Sequence, residues 1–92
     1  MSPKPLERQL AITNKAGLHA RAAALLVQTS SRFALHIEVE KDGETVNGKS
    51  IMGVMMLAAV MGTTITVRVA GPDAEAALAA LVALVEGKFG EE

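Results

Sequence analysis

Two residues near the start of the chain, His19 and Arg21 in the run GLHARAAALLVQ, have the types and spacing that phosphoryl chemistry needs. His19 comes just after Gly17, at the expected boundary between a loop and a helix. A helix N-terminus presents backbone N–H groups without intrahelical partners and a partial positive charge. Phosphate is well accommodated there. Arg21 adds a delocalised cation that can hold phosphate oxygens in bidentate fashion. The same positive end disfavours imidazolium, so His19 is expected to be neutral and nucleophilic near physiological pH. Such a ring can attack phosphorus, and its surroundings can stabilise the charge of the product. A plainer reading fits the same letters: His19 caps the helix and Arg21 is a solvated surface charge. Local chemistry leaves both open.

A second stretch, GETVNGKS from Gly43 to Ser50, spells the phosphate-loop pattern G-x-x-x-x-G-K-[ST]. A working phosphate loop is a turn between strand and helix whose N–H groups wrap the phosphates. Here Thr45 and Val46 are β-branched and follow a hairpin turn, so the middle of the pattern reads as strand. An extended strand cannot curl round a phosphate. No second acidic strand is placed to hold magnesium, and ATP binding is not expected.

The chain has 92 residues, enough for one domain spanning 1–92 with an ordered core over about 6–87. Half of it is hydrophobic and the formal net charge is −1, the profile of a soluble globular protein. With a pI of about 6.1 it shows no strongly basic patch, so a nucleic-acid partner is not expected. There is no cysteine, which excludes disulfides and thiolate metal sites. No histidine and acid cluster stands at metal-ligand spacing, and neither metal nor cofactor is expected. His36 reads as a solvated residue on the polar side of a strand. The N-terminus MSPKPLERQL lacks an apolar signal segment, and IMGVMMLAAVMG is too short to span a bilayer. The expectation is a cytoplasmic protein, monomeric and not inserted in a membrane.

Periodicity supplies the elements that must position these residues. LERQLAIT alternates Leu6, Arg8, Leu10 and Ile12 against Glu7, Gln9, Ala11 and Thr13, a strand with one buried face that Arg8 weakens. LHARAAALLVQTSSRF places Ala23, Leu26, Val27 and Ser30 on one helical stripe. ALHIEVEKDGETVNG reads as a hairpin turning at Asp42-Gly43. SIMGVMMLA is a short helix with Ser50 as N-cap. TTITVRVAG is the last strand, and GPDAEAALAALVALVEG is a helix that opens with proline and acids and stops at Gly87. The order is βαββαβα. Polar residues fill one face of at least two strands, so that face meets water and the helices gather on the other. The expected fold is α+β, a two-layer open-faced sandwich of a four-stranded antiparallel sheet and three helices.

GLHARAAALLVQTSSRF, followed at the right distance by TVNGKSIMGVMMLA, closely resembles the HPr family, the histidine-containing phosphocarriers of the bacterial phosphoenolpyruvate-dependent phosphotransferase system. The similarity runs from about Leu6 to Gly87, and the family's βαββαβα sandwich agrees with the order above. The resemblance implies that His19 takes a phosphoryl group on Nδ1 from phosphorylated enzyme I and passes it to an A component of enzyme II. Arg21 matches the family's active-site arginine. Ser50 matches the serine that HPr kinase/phosphorylase modifies in many members. The chain departs from the family in carrying Ala22 where proline usually follows that arginine. Alanine restores an N–H near the helix start and removes a fixed φ angle. This puts the normal transfer rate in question, not the carrier role.

The short helix is apolar almost all round, and a helix lying on a sheet cannot bury every side. Val54 and Leu57 are expected in the core, with some of Ile51, Met52 and Met55 facing outward. Methionine adapts to several partners by one surface. The family's docking surface is formed by the corresponding residues, together with positions matching Ala24 and Gln28. Lys49 either assists recognition or is a solvated charge. Two rivals to the carrier reading are a regulatory relative of the nitrogen-linked branch and a binding module whose histidine is never phosphorylated.

Overall fold

The structure is a computed structural model that describes residues 5–91. Four strands, β1 (Leu6–Ala11), β2 (His36–Lys41), β3 (Glu44–Asn47) and β4 (Thr64–Ala70), form one antiparallel sheet in the order β1-β4-β2-β3. Three helices are interspersed: α1 (Ala20–Ser31), α2 (Ile51–Met56) and α3 (Ala74–Glu86). The βαββαβα order and the open-faced sandwich are those read from the sequence. No helix among the described residues is long and apolar enough to cross a membrane.

Alternation decides the two faces. Ile65, Val67 and Val69 of β4 lie opposite Ile37 and Val39 of β2 and Leu10 of β1, and all six are buried on the helix side. Each such side chain removed from water contributes about 1.5–3 kcal/mol. The other face is a charged lattice: Arg68 is flanked in register by Glu7 and Glu38, and its guanidinium pairs with Glu40 and Glu7. Water therefore meets that face.

The hairpin turns at Asp42 and Gly43, both with positive φ (52° and 83°), the two-residue geometry whose twist matches the flanking strands. α1 buries Ala23, Leu26, Val27 and Ser30, the stripe expected, and Ala22 beside them. α2 buries Val54, and Leu57 follows it into the core. That helix ends sooner than its apolar run, because Ala58 takes a left-handed φ of 50°.

Three places carry detail that the sequence reading did not supply. Leu6 and Arg8 do point to the helix side, yet both are exposed because β1 is an edge strand. Arg8 reaches out to Glu86 of α3 at 3.9 Å. α3 does open at Asp73, but Asp73 has a φ of 63° and its side chain caps nothing. Beyond α3, Lys88, Phe89 and Gly90 all take positive φ, and this turn drives the Phe89 ring into the core at 2% exposure.

Candidate functional site

The site is built where the loop before α1 meets the loop after α2. Gly17 has a φ of 67°, and a Cβ there would lie 2.4 Å from the Ala59 carbonyl oxygen. Only glycine allows that close approach. The Leu18 N–H donates to the same carbonyl at 2.8 Å, and the Leu18 side chain is buried. His19 therefore leaves a clamped loop at a fixed angle. Its extended backbone makes it the N-cap of α1, and the Ala23 N–H donates to its carbonyl at 2.8 Å.

The ring is addressed from both sides. At Nδ1, the Arg21 backbone N–H donates at 3.3 Å. At Nε2, the Glu91 carboxylate lies at 2.6 Å. An N–H aimed at Nδ1 requires a lone pair there, and a carboxylate at Nε2 requires a proton. Only the neutral tautomer protonated on Nε2 meets both demands, so the free lone pair lies on Nδ1. The expectation that Nδ1 is the reacting atom thus acquires a geometric reason. His19 does cap α1, and the atom that caps it is the one the family resemblance names as the phosphoryl acceptor.

Glu91 does not rest on His19 alone. The fully buried Asn14 donates from Nδ2 to Glu91 Oε1 at 3.0 Å and to the Gly17 carbonyl at 2.8 Å. The hydrogen bond from Asn14, then that from His19, holds the Glu91 carboxyl below the usual carboxylate range, with a smaller contribution from the Arg21 charge. The Arg21 side chain itself is exposed at the helix start. Ala22 is fully buried, so its methyl anchors the first turn from beneath.

The second candidate position, Ser50, caps α2: its Oγ accepts from the Gly53 N–H at 3.1 Å. The phosphate-loop spelling has become a turn, a strand and this cap. Its glycine at 48 donates to the Ile37 carbonyl at 2.8 Å, and a Cβ there would strike the Ile37 side chain at 2.6 Å. The Lys49 ammonium donates to the Phe33 carbonyl at 2.6 Å, just past the end of α1. The residue read as either a recognition group or a solvated charge is thus tied to the fold. His36 is exposed, and among the described residues its ring pairs only with Glu38, two positions on.

Ile51, Met52 and Met55 are all exposed, Met52 the most at 73%. Ala24 is half-buried and Gln28 exposed on α1, which packs beside α2. The patch is larger than the sequence indicated, because Met56, Val60 and Met61 are exposed too. Val60 belongs to the loop that Gly17 presses against, so the apolar surface runs up to the histidine loop. The sequence offered no signal for Asn14 or Glu91 as parts of the site. They lie 77 residues apart, and one sat in a loop and the other in a charged tail.

Comparison with known proteins agrees with this geometry. The family model described as the PTS HPr component phosphorylation site matches residues 6–87. The phosphocarrier protein HPr of Xylella fastidiosa is 53% identical over 87 residues, covering 95% of this chain and 98% of its own. The phosphocarrier protein NPr of Shewanella violacea is 46% identical over 86 residues, 94% of each chain. Among solved structures, HPr-C-His from Thermoanaerobacter tengcongensis superposes with a TM-score of 0.91 at 53% identity, covering 95% of this chain and 98% of that one. With a histidine at the start of a clamped helix and these relatives across nearly its whole length, the chain belongs to the HPr family of phosphocarrier proteins of the phosphotransferase system.

Proposed function

We propose that this protein is a phosphoryl carrier in which Nδ1 of His19 accepts the group from phosphorylated enzyme I and passes it to A components of enzyme II. The observation that carries this reading is the free lone pair on Nδ1 at a helix start whose own first turn holds no acid. The lone pair attacks phosphorus, the N–P bond to His19 forms, and the bond between phosphorus and enzyme I breaks with its electron pair returning to enzyme I. The 3.3 Å bond from the Arg21 N–H is released as Nδ1 reacts, leaving that N–H beside the incoming phosphoryl oxygens. The Arg21 guanidinium adds charge from the exposed side. The chain is then a substrate of the relay, not an enzyme, and works as a cytoplasmic monomer.

Ile51, Met52 and Met55, with Ala24 and Gln28, supply the docking surface on this reading, and Lys49 supports it by fixing the end of α1 to the start of α2. Two or three such side chains, at about 1.5–3 kcal/mol each before ordering costs, give binding that is still quickly reversible. A carrier must release each partner. Ser50 is the candidate for modification by HPr kinase/phosphorylase, which would place about two negative charges beside the patch. The likeness to a relative named NPr keeps a second reading in view, a regulatory protein that acts through phosphorylation-dependent partner binding.

The test is intact-mass measurement after incubation with phosphoenolpyruvate, magnesium and enzyme I, beside a His19→Ala control. One acid-labile phosphoryl adduct, absent from the control, is the expected result. No adduct with enzyme I from the same organism would remove the carrier reading and favour a binding module.

A further inference from the structure

His19 is gripped on Nε2 by the far end of the chain, and the grip is too elaborate for a loose tail. Phe89 is buried at 2%, which anchors the segment, and the Gly90 and Glu91 N–H groups donate to the Gly87 and Lys88 carbonyls at 3.0 and 2.9 Å. Lys88 and Phe89 are held at φ of 58° and 55°, a conformation that costs non-glycine residues energy. The Glu91 side chain, only 16% exposed, is forked between His19 Nε2 and Asn14 Nδ2. Asn14 is fully buried, and its own Oδ1 finds no partner among the described residues. It is placed for the sake of its NH2 group, which ties the tail carboxylate to the histidine loop.

We propose that Glu91, held by Asn14, is a positioning residue for His19: it keeps the ring proton on Nε2 and offsets the positive charge the ring gains when Nδ1 takes the phosphoryl group. The proposal rests on the carrier reading for its second half only. When neutral imidazole attacks through Nδ1, the Nε2 proton stays where it is and the ring becomes a phosphoimidazolium. No proton moves to the carboxylate; Glu91 acts as a fixed counter-charge. This is the logic by which a buried aspartate orients the histidine of a serine protease and stabilises the imidazolium that forms. Nδ1 and Nε2 face different ways, so the phosphoryl group can enter beside the Arg21 N–H without expelling the carboxylate. Among the described residues, the Glu91 carboxylate faces the ring at Nε2, and the Arg21 charge bears on that carboxylate.

The decisive measurement is on the ring nitrogens of the unphosphorylated, 15N-labelled full chain, at an alkaline pH where imidazole is neutral. Wild type is expected to show Nε2 with a pyrrole-type shift and Nδ1 with a pyridine-type shift. In Glu91→Ala the two shifts move toward each other as the second tautomer becomes populated, while the backbone amide spectrum away from His19 is unchanged. Glu91→Gln keeps an acceptor without the charge. Its single carbonyl oxygen cannot accept from both the His19 Nε2–H and the Asn14 NH2, so the ring shifts are read beside the rate, and enzyme I-dependent phosphorylation slows by about fivefold in kcat with KM unchanged, the effect of a partly exposed ion pair. A proton on Nδ1 in wild type, or ring shifts identical in Glu91→Ala, overturns the positioning role. A wild-type rate in Glu91→Gln overturns the counter-charge role. Because the ring measurement needs no phosphoryl donor, its failure is distinguishable from a failure of the carrier reading.

Discussion

The starts of α1 and α2 are built to the same plan and completed in different ways. Each is capped by a side chain that accepts a backbone N–H, His19 from Arg21 and Ser50 from Gly53, and neither has an acid in its first turn. α3 does carry one, Glu75. Two of the three helix starts thus carry no acid of their own, and both hold a residue proposed here to take a phosphoryl group. The difference lies in what stands nearby. Ser50 is finished by its own neighbours, whereas His19 borrows a loop on one side and the end of the chain on the other. A cap that is only structural needs three or four consecutive residues. On the proposed reading His19 must also react, and its ring is fixed from a direction that the helix itself does not supply.

The largest effect should come from breaking the clamp that only α1 has. Gly17→Ala puts a methyl 2.4 Å from the Ala59 carbonyl oxygen at a φ that alanine disfavours. It is expected to cost about 1–3 kcal/mol in denaturant unfolding. It also loosens the Leu18 to Ala59 hydrogen bond, so phosphoryl acceptance by the folded fraction should fall as well. Wild-type stability in this variant would mean that the two loops are not pressed together.

A pair of substitutions at α2 separates its cap from its neighbourhood. Ser50→Asp keeps an acceptor for the Gly53 N–H and adds favourable charge at the helix start, so the thermal midpoint should hold. Beside an apolar docking patch the same charge is unwelcome, and phosphorylation by enzyme I should slow by at least about tenfold. Ser50→Ala should do the reverse, with transfer kept and about 1 kcal/mol of stability lost with the cap. If Ser50→Asp transferred normally, the two helix starts would not share a docking surface.

That contrast also explains what was legible in the sequence. α2 and its cap could be read because Ser50, Gly53 and Val54 lie within one turn. The stripe of α1 and the Asp42-Gly43 turn were equally local, and the alternation in β2 and β4 fixed which face of the sheet the helices cover. The edge behaviour of Leu6 and Arg8 depended on strand order, which no local pattern states. Asp73 had the composition of a cap, yet its left-handed backbone turned the side chain away from the helix N–H groups. Lys49 looked like a surface charge until the end of α1 was placed beside it. Asn14, Phe89 and Glu91 were beyond reach for the same reason: their roles exist only after α3 has carried the chain back to the histidine loop. For His19 the sequence offered a cap and an acceptor as competing readings; the fold shows the cap, and the proposed acceptor would use the same lone pair.

The smallest effect tests the borrowed carboxylate through pH. Glu91 titrates below the usual carboxylate range in the folded chain, chiefly because of the Asn14 hydrogen bond and next because of His19. A carboxyl whose folded midpoint lies below its unfolded one stabilises the fold fully at pH values above the unfolded midpoint. That stabilisation is lost as pH falls through the folded midpoint. Denaturant unfolding of wild type and Glu91→Gln should therefore differ most near neutrality and converge as the pH falls through the lowered midpoint of Glu91, below which the wild-type residue is itself protonated. Carboxyl NMR on the wild type should place the Glu91 midpoint low, with Asn14→Ala raising it more than His19→Ala does. An ordinary midpoint in the wild type would mean that the carboxylate is not held at the ring, and the two helix starts would then differ only in the residue that caps them. A low midpoint that responds to Asn14 before His19 would locate the hold in the buried amide, which leaves the histidine free to change its charge while its counter-charge stays in place.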